Sequence, residues 1–310
     1  MLWTYPNLEY QGGFIDTSSG RFIADPHSVL VSDPTRGYRT PDQPYLYGNA
    51  GDTTLAFESY DQGRHRWLPV PPQYVSPDGA SYAFALEGHS PGGGVHLVDV
   101  ATGADRVAPG TAGLPNANYF VVGYTRDGVY LDQFGPGGGA GRGLWRLDPA
   151  TNAITQASTD ASAVGVFVGE TPLVSPPTPQ YPDAWWNRDP GDPYIYHQYL
   201  NGAVGQHAET WFQRPGFRMT VIGVDTAGHA IVVAESSAQV EVWLLSTPSS
   251  ATELYTVSNA GHRADDLAFK TAVADRGGWW IGSRSGVFFA INGTFTQVST
   301  TPAVIVGACE

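Results

Sequence analysis

A pair of turns recurs along this chain at a step of 49 residues. The first turn carries a glycine just before an apolar strand, and the second turn follows an aspartate at the end of a later strand. The positions that keep the step are Gly79 and Gly128 in the first turn, Asp99 and Asp148 in the second, and then Gly228 and Gly277 in the first turn again. A period of this length that contains only strands and turns predicts a β-propeller, because one sheet cannot bury both of its faces without neighbouring copies.

The unit Ser76–Pro109 preserves the pattern best. It opens with the turn Pro77-Asp78-Gly79, whose aspartate and glycine suit a tight connection. Alternating apolar and polar residues, separated by glycine-rich turns, divide this unit and the next into strands. The predicted strands are Ser81–Leu86, Val95–Val100, Asp105–Ala108, Tyr119–Tyr124, Val129–Phe134 and Leu144–Asp148. Each unit is therefore expected to be an antiparallel meander.

The spacing predicts a single all-β domain, a six-bladed β-propeller of four-stranded antiparallel blades, with five or seven blades as alternatives. The predicted blades cover residues 9–71, 72–115, 116–159, 160–215, 216–258 and 259–302. The first blade would carry a long insertion around Pro34–Asn49, and the 100-residue gap between Gly128 and Gly228 implies the fourth. One terminus should complete the ring, through Ala303–Val306 or Trp3–Tyr5.

The charge of the chain argues against nucleic acid as a partner. The formal net charge is −13 and Lys270 is the only lysine among 16 basic residues, whereas phosphate binding needs clustered Lys and Arg. No apolar run approaches the roughly 18 residues of a membrane helix, so no membrane span is expected. Cys309 is the only cysteine, which excludes an intrachain disulfide. The lysine-poor, aromatic-rich composition favours an extracellular or periplasmic location with a signal peptide removed; a cytoplasmic location and the oligomeric state stay open.

The sequences Ser76–Gly79 and Val95–Gly103 resemble the repeats of TolB-like and WD-type bacterial β-propellers, in which a strand ending in S-P-D-G precedes V-x-L-V-D-x-x-T-G. The resemblance is clear in the second and third predicted blades. It implies the fold, and those families are mainly associated with protein contacts and scaffolding. It brings no catalytic residues with it.

An aromatic-rich segment, Pro172–Pro215, departs from the repeat and is predicted to project from one rim of the propeller. The candidate ligand-binding residues in it are Trp185, Trp186, Tyr194, Tyr196, His197, Tyr199, His207 and Trp211. Aromatic faces beside the carboxylates of Asp183, Asp189 and Asp192 suit a carbohydrate, which offers C–H groups for stacking and hydroxyls for hydrogen bonds. The alternative is that these aromatic side chains form the core of the fourth blade.

A second resemblance points to catalysis. The stretch Phe22–Val29, F-I-A-D-P-H-S-V, is similar to the opening blade of arabinanase- and xylosidase-type glycosidases, whose catalytic base lies in a D-P-x-x-V stretch. The resemblance implies that Asp25 activates water and that Glu170 is the acid, with Asp127 or Asp132 as a third carboxylate. An inverting pair would have to stand about 6.5–9.5 Å apart.

The eight histidines show no metal-binding spacing, so no metal site or cofactor is predicted, although calcium is compatible with the negative charge. The sequence favours a non-catalytic secreted or surface propeller that binds a protein or glycan partner through the aromatic segment. One alternative is a polysaccharide-active glycosidase, lyase or lactonase that uses Asp and Glu in the channel mouth. Another is a structural subunit of a surface assembly. Convergence of the candidate carboxylates would favour the enzyme.

Overall fold

The computed structural model describes residues 2–4, 9–28, 31–33, 37–39, 46, 48, 59–86, 93–112, 118–134, 143–159, 167–170, 182–186, 193–200, 208–225, 227–248, 250–258 and 269–307. Within these residues the chain forms 27 strands, three short 3-10 helices and no α-helix. The 3-10 helices are Pro26–Ser28, Pro72–Tyr74 and Pro109–Thr111. The all-β class predicted from the strand-and-turn pattern is thus confirmed.

The strands in the first half of the chain are β1 (Leu2–Thr4), β2 (Glu9–Gln11), β3 (Gly13–Asp16), β4 (Arg21–Ala24), β5 (Val31–Asp33), β6 (Gly37–Arg39), β7 (Ser59–Asp61), β8 (Arg66–Leu68), β9 (Ser81–Leu86), β10 (Gly94–Asp99), β11 (Asp105–Val107), β12 (Asn118–Thr125), β13 (Gly128–Phe134), β14 (Leu144–Leu147) and β15 (Ile154–Ser158). The remaining strands are β16 (Phe167–Glu170), β17 (Pro182–Trp186), β18 (Tyr194–Tyr199), β19 (Glu209–Gln213), β20 (Arg218–Val224), β21 (Ala230–Glu235), β22 (Gln239–Thr247), β23 (Ser250–Ser258), β24 (Phe269–Asp275), β25 (Gly278–Ser283), β26 (Gly286–Ile291) and β27 (Thr294–Ser299).

These strands form meander sheets in sequence order. Four sheets have four strands each, β12–β15, β16–β19, β20–β23 and β24–β27, and another has the three strands β9–β11. The earlier strands pair as two-stranded hairpins, β1–β2, β3–β4, β5–β6 and β7–β8. The strand predicted at Ser81–Leu86 has those bounds as β9, and the strand predicted at Leu144–Asp148 ends one residue earlier as β14.

The first strands of successive sheets lie side by side, as the blades of a β-propeller do around a central axis. β12 contacts β16, β16 contacts β20, and β20 contacts β24. The pairing register shifts just before Gly123 in β12 and just before Gly223 in β20. A Cβ atom on Gly223 would lie 2.8 Å from the carbonyl carbon of Ala272 in β24, so the absence of a side chain permits this close approach.

The repeated aspartates have a local role in the turns. The carboxylate of Asp99 accepts hydrogen bonds from the hydroxyl and the backbone N–H of Thr102, both at 2.7 Å. The carboxylate of Asp148 accepts a backbone N–H from Ala150 at 2.8 Å. These bonds, the Thr102 hydroxyl first for Asp99 and the Ala150 N–H first for Asp148, lower the pKa of both carboxyls. The aspartates recur because each closes its own turn.

The sheet β9–β11 lacks a regular first strand because three prolines between residues 69 and 72 have no backbone N–H to donate to a ladder. A single isolated bridge joins Val75 to Tyr82 in this part of the structure. The 3-10 helix Pro72–Tyr74 nevertheless contacts β9 and β12. This segment therefore takes the position that a first strand has in the four-stranded sheets.

The N-terminal hairpin β3–β4 repeats the hairpin β10–β11 with an offset of 83 residues. Phe14 lies opposite Ile23 in the first hairpin, and Leu97 lies opposite Arg106 in the second. The hairpin β7–β8 has the same kind of turn, in which the carboxylate of Asp61 accepts a backbone N–H three residues later. Range 9–71, predicted to hold one blade, thus contains two hairpins of the type that forms the third and fourth strands elsewhere.

The hairpins β3–β4 and β10–β11 are also followed by the same kind of turn. Ser28 Oγ donates to the backbone carbonyl of Asp25 at 2.7 Å, and Thr111 Oγ1 donates to the backbone carbonyl of Ala108 at 2.7 Å. Each hydroxyl also accepts a backbone N–H, from Gly12 just before β3 and from Val95 in β10. The D-P-x-S sequence that begins at Asp25 is therefore a recurring structural turn, in which Ala108 stands at the position equivalent to Asp25.

The C-terminal segment Ala303–Val306 lies between the last sheet and the N-terminal hairpins. The N–H of Ile305 donates to Thr271 Oγ1 in β24 at 2.8 Å. On the other side, Val304 packs against Trp67 of β8. Of the two segments predicted to complete the ring, this one joins the beginning and the end of the chain, whereas the N-terminal one pairs as β1 with β2.

Candidate functional site

A cavity of about 390 Å³ lies where the N-terminal hairpins, the last sheet and the C-terminal segment meet. Its walls come from β3–β4, from β7–β8 and the turn between them, from β25 and β26, and from residues 303–307. This volume is within the range of roughly 300–1,000 Å³ that is usual for ligand pockets. None of the described residues that line it is Asp, Glu, Lys or Arg. We call it the seam cavity.

Three aromatic rings form one wall of the seam cavity. Tyr60 lies between the other two, with ring centroids 5.2 Å from those of Phe14 and of Trp67. The rings of Phe14 and Tyr60 are nearly perpendicular, at 88°. Phe14 is 45% exposed and Trp67 only 2%, so the cluster is anchored in the core and open at Phe14. Edge-to-face packing of this kind is a favourable arrangement of aromatic rings.

The opposite wall is aliphatic and aromatic as well. Ile15 of β3 packs with Trp280 and Val287 of the last sheet. The indole N–H of Trp280 donates to Asp275 Oδ2 at 3.0 Å, which fixes the ring from outside the cavity. Neighbouring side chains along β3 point to opposite faces, so Phe14 and Ile15 belong to the two opposite walls.

Asp25, the predicted catalytic base, lies behind the aromatic wall. Its Oδ2 accepts the indole N–H of Trp67 at 2.8 Å, and its Oδ1 accepts the backbone N–H of His27 at 2.9 Å. Both carboxylate oxygens therefore hold protein groups in place. The structure gives Asp25 the role of orienting Trp67, a wall of the seam cavity.

The polar side chains of the lining are Thr17, Tyr60, Gln62 and His65. His65 sits in the β7–β8 turn with φ of 48°, a left-handed conformation that non-glycine residues adopt uncommonly. With apolar walls and these few hydrogen-bonding groups, the cavity suits a neutral, largely apolar group. The described lining contains no carboxylate, so it holds no acid–base pair of the kind that a glycosidase uses.

The other predicted catalytic carboxylates lie in different surroundings. Asp127 accepts hydrogen bonds from the hydroxyls of Thr125 and Tyr130 in its own turn. Asp132 is 3% exposed, and burial raises its pKa to about 7. Asp132 lies five positions after Asp127, a separation of about 16 Å for extended chain. Glu170 ends β16, and its side chain lies outside the described residues.

The aromatic segment Pro172–Pro215 is not a projecting insertion in the part that the structure describes. Residues 182–186, 193–200 and 208–213 carry β17, β18 and β19, which complete the sheet begun by β16. Trp185 and His197 are 0% exposed and Trp186 is 1% exposed. These three residues were predicted to bind a ligand, and in the structure their side chains are buried, with Trp185 packed towards β20–β23 and Trp186 towards β12–β15.

The remaining predicted aromatic residues divide into two groups. Trp211 is also buried, and its ring packs edge to face with that of Trp185. Tyr194 and Tyr196 are partly exposed on β18, and Gln213 donates a hydrogen bond to the Tyr194 hydroxyl. The side chain of Tyr199 and all of His207 lie outside the described residues. For these tyrosines and His207, ligand binding stays a prediction.

The sequence did not indicate that the residues of the seam cavity come together. Phe14 and Tyr60 are 46 residues apart, and Ile305 lies near the C terminus. One sequence signal indicates part of this arrangement. Asp16 and Asp61 begin turns of the same kind as the turn that begins at Asp99 in Ser76–Pro109, and each marks a hairpin near the N terminus.

Two further observations apply to the described residues only. No three or more His, Cys, Asp or Glu side chains come together there in a way that could hold a metal ion. None of the helices in that part of the chain is long and apolar enough to span a membrane.

No protein-family model matches the chain, and no curated protein matches its sequence. Among solved structures, the chain is similar to a prolyl endopeptidase, with 12% identity and a TM-score of 0.47 over 77% of this chain and 37% of that one. It is similar to the Dos1 propeller, with 15% identity and a TM-score of 0.44 over 96% and 76%. It is also similar to TolB from Acinetobacter baumannii, with 15% identity and a TM-score of 0.39 over 71% and 54%. The chain thus spans less than two thirds of the prolyl endopeptidase and TolB chains.

Proposed function

We propose that this chain is a non-catalytic β-propeller that binds a partner protein through the seam cavity. The observation that carries the proposal is the cavity of about 390 Å³ with an aromatic wall, in which Phe14 is 45% exposed. A pocket that accepts an apolar side chain is the usual anchor point of a protein interface. The partner would insert such a group between the walls formed by Phe14 and Trp280.

The geometry of the aromatic wall favours a protein over a glycan. A pyranose stacks on a flat, open ring face, whereas the Phe14 and Tyr60 rings meet at 88° and shield each other. Carboxylates that could bind sugar hydroxyls are absent from the described lining. An apolar side chain needs neither feature.

The glycosidase alternative finds less support in the described residues. Asp25 holds Trp67 and a turn, and Asp127 closes another turn. Asp132 is buried, and its raised pKa follows from desolvation. The remaining alternative, a structural subunit of a surface assembly, rests on no specific contact. The extracellular or periplasmic location stays a prediction from composition.

We also propose seven blades in place of six. The support is that, among the described strands, seven antiparallel hairpins occupy the third-and-fourth-strand position, namely β3–β4, β7–β8, β10–β11, β14–β15, β18–β19, β22–β23 and β26–β27. Segment Ala303–Val306 would then be the first strand of the blade that contains β3–β4. A Cβ on Gly20, at the tip of that hairpin, would lie 3.5 Å from the carbonyl carbon of Val298 in β27, which agrees with neighbouring blades.

The binding proposal can be tested with a displayed peptide library and a glycan array, each probed with the wild-type protein, Phe14→Ala and Phe120→Ala. Phe120 is 42% exposed on β12, so its substitution is a matched control outside the cavity. We expect peptides that bind the wild type and Phe120→Ala but bind Phe14→Ala at least about tenfold more weakly. Ligands that bind all three equally, or glycans alone, would contradict the proposal.

A further inference from the structure

We propose that the seam cavity binds an extended strand of the partner protein, which adds to β3 as the second strand of its sheet, along the edge that no described strand covers. This inference rests on the proposed function and specifies the binding mode. Strand addition to an open sheet edge is a common form of peptide recognition, in which backbone hydrogen bonds give affinity and alternate side chains give specificity.

The hairpin β10–β11 provides the template. Leu97 in β10 lies opposite Arg106 of β11 on one side and opposite Ala83 of β9 on the other. With the offset of 83 residues, β3 corresponds to β10 and β4 to β11. Among the described residues nothing corresponds to β9, because Gly13–Asp16 pairs with β4 alone. Alternate N–H and C=O groups of β3 therefore lie along an edge that none of the described strands pairs with.

The seam cavity lies along this edge and has the four borders of a second strand. β3 forms one edge, and segment Ala303–Val306 lies at the other. One face is the last sheet, where Ile15 packs with Trp280. In the template, Val98 is equivalent to Ile15 and packs with Leu68 of the preceding hairpin β7–β8. The other face is the hairpin β7–β8, where Phe14 packs with Trp67. The borders match those around β9.

The template also indicates the chemistry of the partner segment. In β9, Tyr82 and Phe84 are 0% and 1% exposed on one face, and small alanines occupy the other. The partner strand should accordingly alternate large apolar side chains towards Trp280 with small ones towards Phe14. The net charge of −13 disfavours an acidic segment, so the strand should be neutral or basic.

The first experiment uses a synthetic peptide with the sequence of Ser81–Leu86 and one added lysine at each end. Calorimetric titration into the full chain should detect binding to the wild type and to Phe120→Ala. Binding to Phe14→Ala should be at least about tenfold weaker, since Phe14 forms one face of the slot. A peptide of scrambled order, which breaks the alternation of large and small residues, serves as the control and should not bind.

Two N-methylated versions of the peptide separate strand addition from capture of a side chain. Each carries N-methyl groups at one set of alternate residues, which removes those N–H donors and leaves the side chains unchanged. At least one version should bind about tenfold or more weakly, because it loses two hydrogen bonds to β3. If both bind as well as the parent peptide, strand addition is refuted while side-chain binding in the cavity stands.

Amide hydrogen exchange tests this edge of β3 directly. In the free protein, the amides of Gly13–Asp16 should exchange faster overall than those of the equivalent residues His96–Asp99, and the peptide should slow them. Equal protection in the free protein would mean that the edge is already covered, which overturns the inference. If no peptide of any sequence binds in a manner that depends on Phe14, the proposed function itself fails.

Discussion

Replacement of Gly223 by alanine tests whether the first strands pack as closely as the structure indicates. The new Cβ would lie 2.8 Å from the carbonyl carbon and 2.9 Å from the Cβ of Ala272 in the next sheet. Both contacts are shorter than real Cβ atoms tolerate, and the neighbour is backbone in β24, so the two strands must move apart.

The expected loss follows from two opposing effects. Overpacking of a well-packed contact costs about 1–3 kcal/mol. Gly→Ala also reduces the freedom of the unfolded chain, which stabilises by about 0.4–1 kcal/mol where φ is compatible. Gly223 does not have a positive φ, so backbone strain adds nothing. The net free energy of unfolding should fall by about 1–2 kcal/mol.

A graded series supplies the controls. In Gly123→Ala the nearest atom is the Cβ of Val168 at 3.2 Å, so a smaller loss is expected than in Gly223→Ala. In Gly63→Ala, the nearest atom is a carboxylate oxygen at 3.5 Å in an exposed turn, so stability should be unchanged or slightly raised. Urea unfolding followed by circular dichroism measures all three. If Gly223→Ala is as stable as Gly63→Ala, the close packing of first strands is refuted.

Substitutions at three further residues test buried charges and the wall of the seam cavity. Burial raises the pKa of Asp132 from 3.8 to about 7, so the free energy of unfolding should fall, by at most about 4 kcal/mol, as pH rises from about 4 to about 7. Asp132→Asn should remove this fall. If urea unfolding of the wild type and of Asp132→Asn depends on pH in the same way, the expectation is contradicted. Arg214 donates hydrogen bonds of 2.7 and 2.5 Å to the buried carboxylate of Glu241. Arg214→Ala should lower the free energy of unfolding, measured by thermal unfolding, by about 2 kcal/mol. The loss is smaller than for a fully buried pair because Arg214 is partly exposed. Asp25→Ala should lower the free energy of unfolding by about 1–2 kcal/mol. Asp25→Asn should lower it less, because its amide oxygen can still accept one hydrogen bond, from Trp67 or from the turn. Equal stability of both variants in calorimetry would refute this role of Asp25.

The strands were predictable because their signals are local. Ser81–Leu86 follows a turn in which Asp78 accepts the N–H of Ala80, and β10 ends at Asp99, which accepts the N–H of Thr102. Such contacts form between neighbours in sequence, so the sequence pattern reports them directly. The segment before β9 was not predicted to be irregular. Prolines there prevent the backbone hydrogen bonds of a first strand, and the segment forms a 3-10 helix instead.

The candidate site was not predictable from the same signals. The cluster of aromatic residues at Trp185 and His197 suggested a surface site, yet both side chains are core. Composition cannot distinguish an aromatic residue that faces a neighbouring sheet from one that faces solvent, because both suit a pleated strand. Asp25 was singled out by a motif, and its carboxylate holds Trp67, which lies 42 residues away in sequence.

The sequence by itself determined the repeat, the all-β class and the turns, since each depends on residues a few positions apart. The tertiary structure decided which apolar surfaces neighbouring sheets cover and which stay open. The seam cavity depends on Phe14, Trp67, Trp280 and the C-terminal segment meeting in space. Burial is a property of the closed arrangement of sheets, so no single stretch of the chain records it.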